Sequence, residues 1–286
     1  MNIVTNPLKL QEISTRLKKD QVTIGFVPTM GYLHEGHRAL LKAARDQNDI
    51  VIMSVFVNPL QFGPNEDLDS YPRDFEHDKQ IAIEEGVDYL FHPSVEEMYP
   101  VPMSVRVKVE RRTNCLCGRS RPGHFDGVAT VLTKLFHLVQ PTNVYFGKKD
   151  AQQVAVVHGL LEEFHFPINL VAINTVREED GLAKSSRNIR LTPKERDEAG
   201  ILYKSLSLAR IELIKGNVNL AELKKTVIAS IENESSGKVD YFEILTYPQL
   251  ETVNELTGTI IIAIAVQFGK ARLIDNIIFE LDNTSR

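Results

Sequence analysis

The stretch Phe26–His37, FVPTMGYLHEGH, decides the fold. It begins inside a short apolar run, Val22–Val27, whose content of Val, Ile and Phe is typical of a buried strand. The run ends at Pro28 and Gly31, and a helix is predicted to begin near Gly36. A buried strand that passes through a polar loop into a helix is the repeating unit of α/β sheets. The sequence therefore places this loop at the carboxyl end of a strand, where α/β proteins bind ligands.

Apolar runs alternate with amphipathic stretches from residue 22 to residue 176. The apolar runs predict strands at Val22–Val27, Ile50–Val57, Val87–Phe91, Asn143–Phe146 and Ile168–Val176. Apolar residues at helical spacing predict helices at Gly36–Gln47, Asp74–Glu85, Phe125–Val139 and Asp150–Phe164. This alternation indicates a Rossmann-like parallel sheet with helices on both faces. The segment Val105–Glu110 alternates like an exposed ribbon, which predicts an insertion or an edge hairpin.

The pattern changes after Arg190. Thr192 and Pro193 read as an N-cap and first helical residue, which predicts a long helix to about Lys215. A second helix at Asn219–Glu234 and strands at Val239–Thr246, Thr259–Phe268 and Ala271–Phe279 follow, the last two joined in a hairpin at Gly269 and Lys270. We therefore predict an α/β protein with a Rossmann-like domain at residues 1–184 and a smaller C-terminal α+β domain at residues 185–286.

Composition excludes several classes of function. The 286 residues are 43% apolar and 25% charged, which is the balance of a globular protein. A net charge of −5 disfavours broad binding of nucleic acid. The longest strongly apolar run, Ile260–Val266, is far shorter than the roughly 20 residues of a membrane helix, and the N-terminus has no leader pattern. We expect a cytoplasmic protein without a membrane partner, in which Cys115 and Cys117 are reduced and non-catalytic.

The first candidate site contains His34 and His37, which are three residues apart and project from one side of the first helical turn. Gly36 between them lets a phosphate approach the helix start, where backbone N–H groups and two imidazoles can meet it. A zinc site is the weaker interpretation, because zinc-protease helices space their histidines by four and further ligands would be needed. Two surface histidines at a helix cap are the plain alternative.

Three other loops carry groups that suit a nucleotide and a small polar substrate. Lys184, Ser185, Ser186 and Arg187 place two cations and two hydroxyls in four residues, although such a run is often only a solvated loop. Gly147, Lys149 and Asp150 follow another strand. Gly147 lets a ligand approach the backbone closely, Lys149 can reach a phosphate, and Asp150 can accept hydrogen bonds from a ribose. A polar first helical turn is the alternative. Asn58 and Gln61 follow the second strand and can recognise hydroxyl or carboxylate groups; turn formation is the alternative, because Asn before Pro commonly starts a turn. If the strands are parallel, these loops converge at one sheet edge.

At these residues the sequence resembles the pantothenate synthetase family, the pantoate–β-alanine ligases of coenzyme A biosynthesis. The matching segments, in the family's order, are FVPTMGYLHEGH, SVFVNPLQF, RPGHFDGV, FGKKDAQQ and DGLAKSSRN. Five ordered matches are specific, whereas the HxGH pattern alone would indicate only the wider nucleotidyltransferase superfamily. The part of the chain after residue 190 agrees with the family mainly in length and in its helix-then-strand order.

The resemblance implies roles for individual residues. His37, His34, Lys149 and Arg187 would be catalytic, with His37 donating a proton to the phosphates, and Gln61 and Gln153 would bind pantoate, with Gln61 also near β-alanine. Arg121 would organise a loop near the substrate, and Asp78 would help to hold Mg²⁺. Two departures from the family are Lys184, where methionine is usual, and Lys148, where an acidic residue is common. The ATP site would be lined by Met30, Gly31, Tyr32, Leu33, His34, Glu35, Gly36, His37, Gly147, Lys148, Lys149, Asp150, Val176, Lys184, Ser185, Ser186 and Arg187.

The resemblance also implies a two-step reaction in a homodimer whose first domain forms the interface and whose C-terminal domain acts as a lid. Pantoate would attack the α-phosphate of ATP to give pantoyl adenylate and pyrophosphate, and β-alanine would then displace AMP. A carboxylate is already a nucleophile, so no serine or cysteine is required, and the sequence contains no GxSxG motif. The alternatives are a nucleotidyltransferase acting on another small substrate and a nucleotide-binding sensor without turnover; a tRNA synthetase is disfavoured by the negative charge.

Overall fold

The structure is a computed structural model that describes residues 1–281 except for 65, 67 and 217. The chain divides into two compact units. Unit 1 comprises residues 1–110, 121–148 and 156–174, and unit 2 comprises residues 111–120, 149–155 and 175–286. The division of roles between residues 1–184 and 185–286 stays a prediction.

Unit 1 contains a six-stranded parallel sheet in the order β1-β4-β3-β2-β5-β6. This confirms the predicted fold class, including all five strands that the apolar runs indicated. The strands are β1 (Asn2–Val4), β2 (Ile24–Thr29), β3 (Ile50–Val55), β4 (Tyr89–Phe91), β5 (Asn143–Gly147) and β6 (Asn169–Ile173).

The central strand β2 pairs with β3 along its whole length and with β5 on its other side. Thr29 at its end lies opposite Val55 at the end of β3, and Gly147 at the end of β5 lies opposite Ile173 at the end of β6. The loops after these four strands therefore leave the same edge of the sheet, as parallel pairing requires.

Helices connect these strands. Those with residues in unit 1 are α1 (Pro7–Lys19), α2 (Glu35–Gln47), α3 (Phe75–Glu84), α4 (Val95–Met98), α6 (His124–Val139) and α7 (Ala151–Glu163), whose first turn belongs to unit 2. Leu40, Leu41 and Ala44 of α2 are buried among the apolar side chains of β2 and β3. This packing fixes the start of α2, and with it the loop that follows β2.

The segment Val105–Glu110 is not a strand, so of the two predicted alternatives, an insertion or an edge hairpin, the edge hairpin is wrong. Val105 is 76% exposed, and two backbone N–H groups of the segment donate to side chains of α6 instead of to another strand. The Val107 N–H donates to Thr130 Oγ1 at 3.0 Å, and the Val109 N–H donates to Asp126 Oδ1 at 2.8 Å. Alternation alone did not distinguish an extended segment held by side chains from a paired strand.

Unit 2 contains a three-stranded antiparallel sheet made of β7 (Lys238–Thr246), β8 (Gly258–Phe268) and β9 (Ala271–Leu281). The hairpin at Gly269 and Lys270 is confirmed. The helices of this unit are α5 (Leu116–Ser120), α8 (Pro193–Glu198), α9 (Ile201–Lys215) and α10 (Leu220–Glu234). Leu206, Ala209 and Leu213 of α9 pack in one apolar core with the β8 and β9 side chains.

The predicted long helix from Thr192 to Lys215 is wrong, because the chain forms two helices, α8 and α9. The backbone at Ala199 and Gly200 keeps nearly helical dihedral angles. However, the N–H groups of Ala199 and Leu202 bond to carbonyls three residues back, at 3.4 and 3.2 Å, so the α-helical pattern is interrupted. Apolar spacing continues through this point, which explains why the sequence predicts one helix.

Both cysteines are free. Cys115 is buried, and burial raises the pKa of its thiol to about 11. In the part of the chain that the structure describes, every helix is too short or too polar to span a lipid bilayer.

Candidate active site

The loop after β2 is held by the end of the strand itself. Thr29 Oγ1 accepts the N–H of Gly31 at 3.2 Å and donates to the Ser54 carbonyl at 2.8 Å. Gly31 has a φ of +86°, and a Cβ there would lie 2.7 Å from Asp78 Oδ2. Both the backbone conformation and the lack of space therefore require glycine at this position.

Asp78 of α3 holds the next two residues of the loop. Its carboxylate accepts the N–H of Tyr32 at 2.9 Å and the N–H of Leu33 at 2.7 Å, one on each oxygen. The residue is 1% exposed, and burial raises the pKa of this carboxyl despite the two backbone hydrogen bonds, which lower it. Asp78 thus fastens α3 to the loop that leads into His34.

His34 and His37 are oriented by backbone donors at the start of α2. The N–H of His34 donates to His37 Nδ1 at 3.2 Å, and the N–H of Gly36 donates to His34 Nδ1 at 3.1 Å. A nitrogen that accepts a hydrogen bond carries no proton, so each neutral ring has its proton on Nε2. The rings are tilted, with centroids 4.2 Å apart. Two adjacent imidazoles are therefore preset as Nε2–H donors.

Gln61 lies in a short turn, Pro59–Gln61, that follows β3, and is 7% exposed. Asn58 Nδ2 donates to Gln61 Oε1 at 3.1 Å, and Tyr99 Oη donates to Asn58 Oδ1 at 2.8 Å. Gln61 Nε2 lies 3.1 Å from Met30 Sδ. The turn after β3 thus contacts the loop after β2, which brings two of the predicted site segments together.

Arg121–His124, the RPGH segment, supports the backbone of this turn. The Gln61 carbonyl accepts the Nδ1–H of His124 at 2.7 Å, and Arg121 donates to His124 Nε2 at 3.0 Å. Arg121 also pairs with Glu66. Burial raises the pKa of Glu66, but the hydrogen bonds and charge of Arg121 outweigh it and hold this pKa below its usual value. Arg121 therefore organises the Gln61 turn and the following loop.

Gly127 of α6 allows the helix to touch this turn. A Cβ there would lie 2.2 Å from the Leu60 carbonyl oxygen and 2.6 Å from Gln61 Cα, both backbone atoms. We expect Gly127→Ala to lower the free energy of unfolding by about 1–3 kcal/mol, since overpacked backbone must shift. Urea unfolding measures this change. Gly63→Ala is the matched control, because its Cβ would make only ordinary contacts from 3.5 Å outwards; equal stability of the two variants would contradict the prediction.

Lys149, Asp150 and Gln153 belong to unit 2, whereas Gly147 and Lys148 end β5 in unit 1. Lys149 Nζ lies 4.0 Å from Asp150 Oδ2. Of the two adjacent glutamines, Gln152 is buried, and its Nε2 donates to the carbonyls of Arg112 and Cys115 at 2.8 and 2.9 Å. Gln153 is half-buried. Its contact with a ligand stays a prediction.

The loop that carries Lys184–Arg187 also belongs to unit 2. The Lys184 N–H donates to the Val176 carbonyl at 2.9 Å, which closes the loop at its base. Ser185 caps a short turn, Ser186–Arg190, by accepting the N–H of Arg187 at 3.3 Å. Two predicted nucleotide-binding segments, Val176 and Lys184–Arg187, are thereby joined.

Lys148 and Lys184 are each engaged by a neighbouring side chain. Lys148 Nζ donates to Asn174 Oδ1 at 2.9 Å, within unit 1. Lys184 Nζ pairs with Glu178 Oε2 at 2.8 Å, within unit 2. The charge of Lys184 is thus partly balanced by a carboxylate.

A model of the pantoate–β-alanine ligase family matches residues 2–278. The chain belongs to this family. It is 59% identical over 276 residues to the pantothenate synthetase of Geobacillus sp. (strain WCH70), covering 96% of this chain and 98% of that one. It is 57% identical over 286 residues to the Geobacillus thermodenitrificans (strain NG80-2) enzyme of the same name, covering 100% and 99% of the two chains.

Solved structures of the family have the same fold. The pantothenate synthetase of Thermus thermophilus superposes with a TM-score of 0.89 at 45% identity, covering 97% of this chain and 99% of that chain. The pantoate–β-alanine ligase of Francisella tularensis, solved in complex with β,γ-ATP and β-alanine, gives a TM-score of 0.78 at 37% identity, with 97% of each chain covered.

The Mg²⁺ expected for this family has one proposed protein ligand, Asp78. Both oxygens of its buried carboxylate already accept backbone N–H groups. Among the described residues, no group of three or more His, Cys, Asp and Glu side chains is arranged to hold a metal ion. Proteins that use Mg²⁺ with ATP commonly supply only one or two carboxylates and leave the other positions to phosphates and water. The residues that the structure describes therefore do not form a metal cage of their own.

Proposed function

We propose that this protein joins pantoate to β-alanine in two steps at the expense of ATP. A carboxylate oxygen of pantoate attacks the α-phosphorus, forming a P–O bond and expelling pyrophosphate. The β-alanine amine then attacks the acyl carbon of pantoyl adenylate, the acyl C–O bond breaks, and AMP leaves while the amine loses a proton. Activation is necessary because the oxygen of a free carboxylate is a poor leaving group, whereas AMP is a good one.

The observation that carries this proposal is the match of the whole chain to the pantoate–β-alanine ligase family. The geometry of unit 1 supports it, since a glycine loop, two preset imidazoles and a buried glutamine lie in the loops at one sheet edge. The edge beyond the carboxyl ends of parallel strands is the usual ligand site of such sheets.

In the first step the chain's task is to stabilise negative charge as pyrophosphate departs. We assign this to the Nε2–H groups of His34 and His37, together with Lys149 and Arg187 and the hydroxyls of Ser185 and Ser186. Preorganised donors of this kind act without reorganising at the moment of reaction. Mg²⁺, when bound with ATP, would neutralise further phosphate charge.

The test uses purified protein with ATP, pantoate and β-alanine, analysed for AMP and the amide product. We expect both products, and we expect omission of any one substrate to abolish them. Pyrophosphate release without AMP would favour a nucleotidyltransferase that leaves the nucleotide on its product. ATP binding without pantoate-dependent pyrophosphate exchange would favour a nucleotide sensor.

Gln61→Ala should weaken the use of pantoate more than the use of ATP. The substitution removes an amide from a buried polar site, where a partner left unpaired is costly. We expect KM for pantoate to rise about tenfold or more, in line with about 1–3 kcal/mol for an unsatisfied buried group. Steady-state kinetics with each substrate varied in turn measure this. A change confined to the ATP dependence would make the assignment of Gln61 wrong.

The assembly and location of the protein are part of the same proposal. We propose a homodimer whose interface is formed by the first domain, since closed two-fold dimers are the commonest soluble oligomers and the family resemblance implies one. Light scattering after gel filtration should give twice the mass of one chain, 32.3 kDa. We also propose that the enzyme works in the cytoplasm, where ATP is available.

A further inference from the structure

Strand β9 carries two adjacent buried polar residues, Asp275 and Asn276, which are 3% and 7% exposed. Their neighbours on the strand are apolar, including Ile274 and Ile277. A buried carboxylate is unfavourable unless it is paired and hydrogen-bonded, so the partners of this pair explain why it is there.

Asp275 is paired with Arg177 in a bidentate arrangement. Arg177 Nη1 and Nη2 donate to Asp275 Oδ2 and Oδ1 at 2.6 and 2.9 Å. Arg177 also donates to the Gly181 carbonyl at 2.9 Å and lies over the Tyr203 ring at 3.8 Å. A bidentate pair with this additional support fixes the guanidinium in both position and orientation.

Arg177 stands at the base of the loop that carries Lys184–Arg187. Its backbone forms a bridge with Ala183, and Val176 beside it accepts the N–H of Lys184 at 2.9 Å. Asp275 thus holds the base of this candidate nucleotide loop through Arg177.

Asn276 holds the second candidate segment. Its Nδ2 donates to the carbonyl of Lys149 at 2.9 Å. Lys149 and the Lys184–Arg187 loop come from distant parts of the chain, and both are fastened to consecutive residues of one strand within unit 2.

We propose that Asp275 and Asn276 are positioning residues that fix Lys149 and the Lys184–Arg187 loop for binding and activation of ATP. This inference rests on the proposed function, in which these cations stabilise the phosphates. Charge stabilisation requires donors fixed in advance, and a misplacement of about 1 Å can reduce the rate about 10²-fold. Neither Asp275 nor Asn276 is required to touch a substrate.

The test compares the two half-reactions in Asn276→Ala and Asp275→Asn. We expect KM for ATP in pantoate-dependent pyrophosphate exchange to rise about 10- to 100-fold. The reaction of supplied pantoyl adenylate with β-alanine should keep its KM for β-alanine within about twofold, because the triphosphate has already left. A merely structural role would reduce the amount of active protein in both half-reactions equally and leave KM for ATP unchanged.

Asp240→Asn is the matched control. Asp240 pairs with Arg272 in the same sheet, at 2.7 Å, but it holds neither candidate segment. Asn276→Ala keeps the test decisive if Asp275→Asn fails to fold, since it replaces a neutral side chain and leaves the Arg177–Asp275 ion pair in place. An active wild type with an unchanged KM for ATP in Asn276→Ala would overturn this inference alone. A wild type that forms no AMP would overturn the proposed function and this inference with it.

Discussion

We expect His37→Ala to lower the rate of pantoyl adenylate formation by about 10²- to 10³-fold while leaving the fold intact. This is the usual loss when one preorganised donor to a developing charge is removed. The structure adds a reason for the size of the effect. The backbone N–H of His34 donates a hydrogen bond to His37 Nδ1, so the neutral ring has its proton on Nε2 before any substrate binds. Pantoate-dependent exchange of labelled pyrophosphate into ATP measures the step directly.

A second variant separates the two roles of the His37 ring. His37 completes a capping box at the start of α2, so alanine also removes a helix cap. His37→Asn is the control, since its amide oxygen can still accept the His34 N–H while the Nε2 donor is lost. We expect the same kinetic loss in both variants and a smaller loss of stability in His37→Asn. Exchange at the wild-type rate in either variant would remove His37 from the mechanism.

The sequence predicted the strands around the site because their signals are local. The apolar runs that became β2, β3 and β5 are short, buried and followed by polar loops, and parallel pairing then brings their ends together. The sequence pattern did not predict strand β1 or helix α1. Three residues are too few to show a pattern, and α1 buries only Leu10 and Ser14. The Asn6–Pro7 start of α1 was a usable signal, of the same kind as Thr192–Pro193.

The contacts that hold the site together could not be predicted from local pattern. Asp78 accepts a hydrogen bond from the N–H of Tyr32, which is 46 residues away along the chain. Asn276 donates a hydrogen bond to the carbonyl of Lys149, which is 127 residues away. Nothing in the spacing of these residues links them, because the links depend on tertiary packing. The tautomers of His34 and His37 likewise follow from hydrogen bonds that appear only once the loop is folded. Residue types and strand ends thus predict which loops carry the candidate site, but not the contacts that orient its side chains.

Asp78→Ala should both destabilise the protein and disable the first step. Removing the carboxylate leaves the N–H groups of Tyr32 and Leu33 without their acceptor. An unsatisfied buried group costs about 1–3 kcal/mol, so we expect a loss of about 2–6 kcal/mol in the free energy of unfolding. Because the same N–H groups position the loop before His34, adenylate formation should fall about 10²-fold or more. Asp74→Ala is the control for α3, since it removes only the helix cap, worth about 1 kcal/mol.

Asp78→Asn separates a loop clamp from a magnesium ligand, the role that the family resemblance implies. Asparagine is nearly the same size as aspartate, but an NH₂ group replaces one of the two carboxylate oxygens. That NH₂ group would face a backbone N–H, and two donors cannot form a hydrogen bond with each other. If Asp78 is a clamp, the variant loses stability without Mg²⁺ present, and its activity has the same Mg²⁺ midpoint as the wild type. If it is a ligand, stability measured without metal changes little, the Mg²⁺ midpoint rises, and excess Mg²⁺ restores activity. We expect the first result, because both carboxylate oxygens already accept backbone N–H groups in the buried loop.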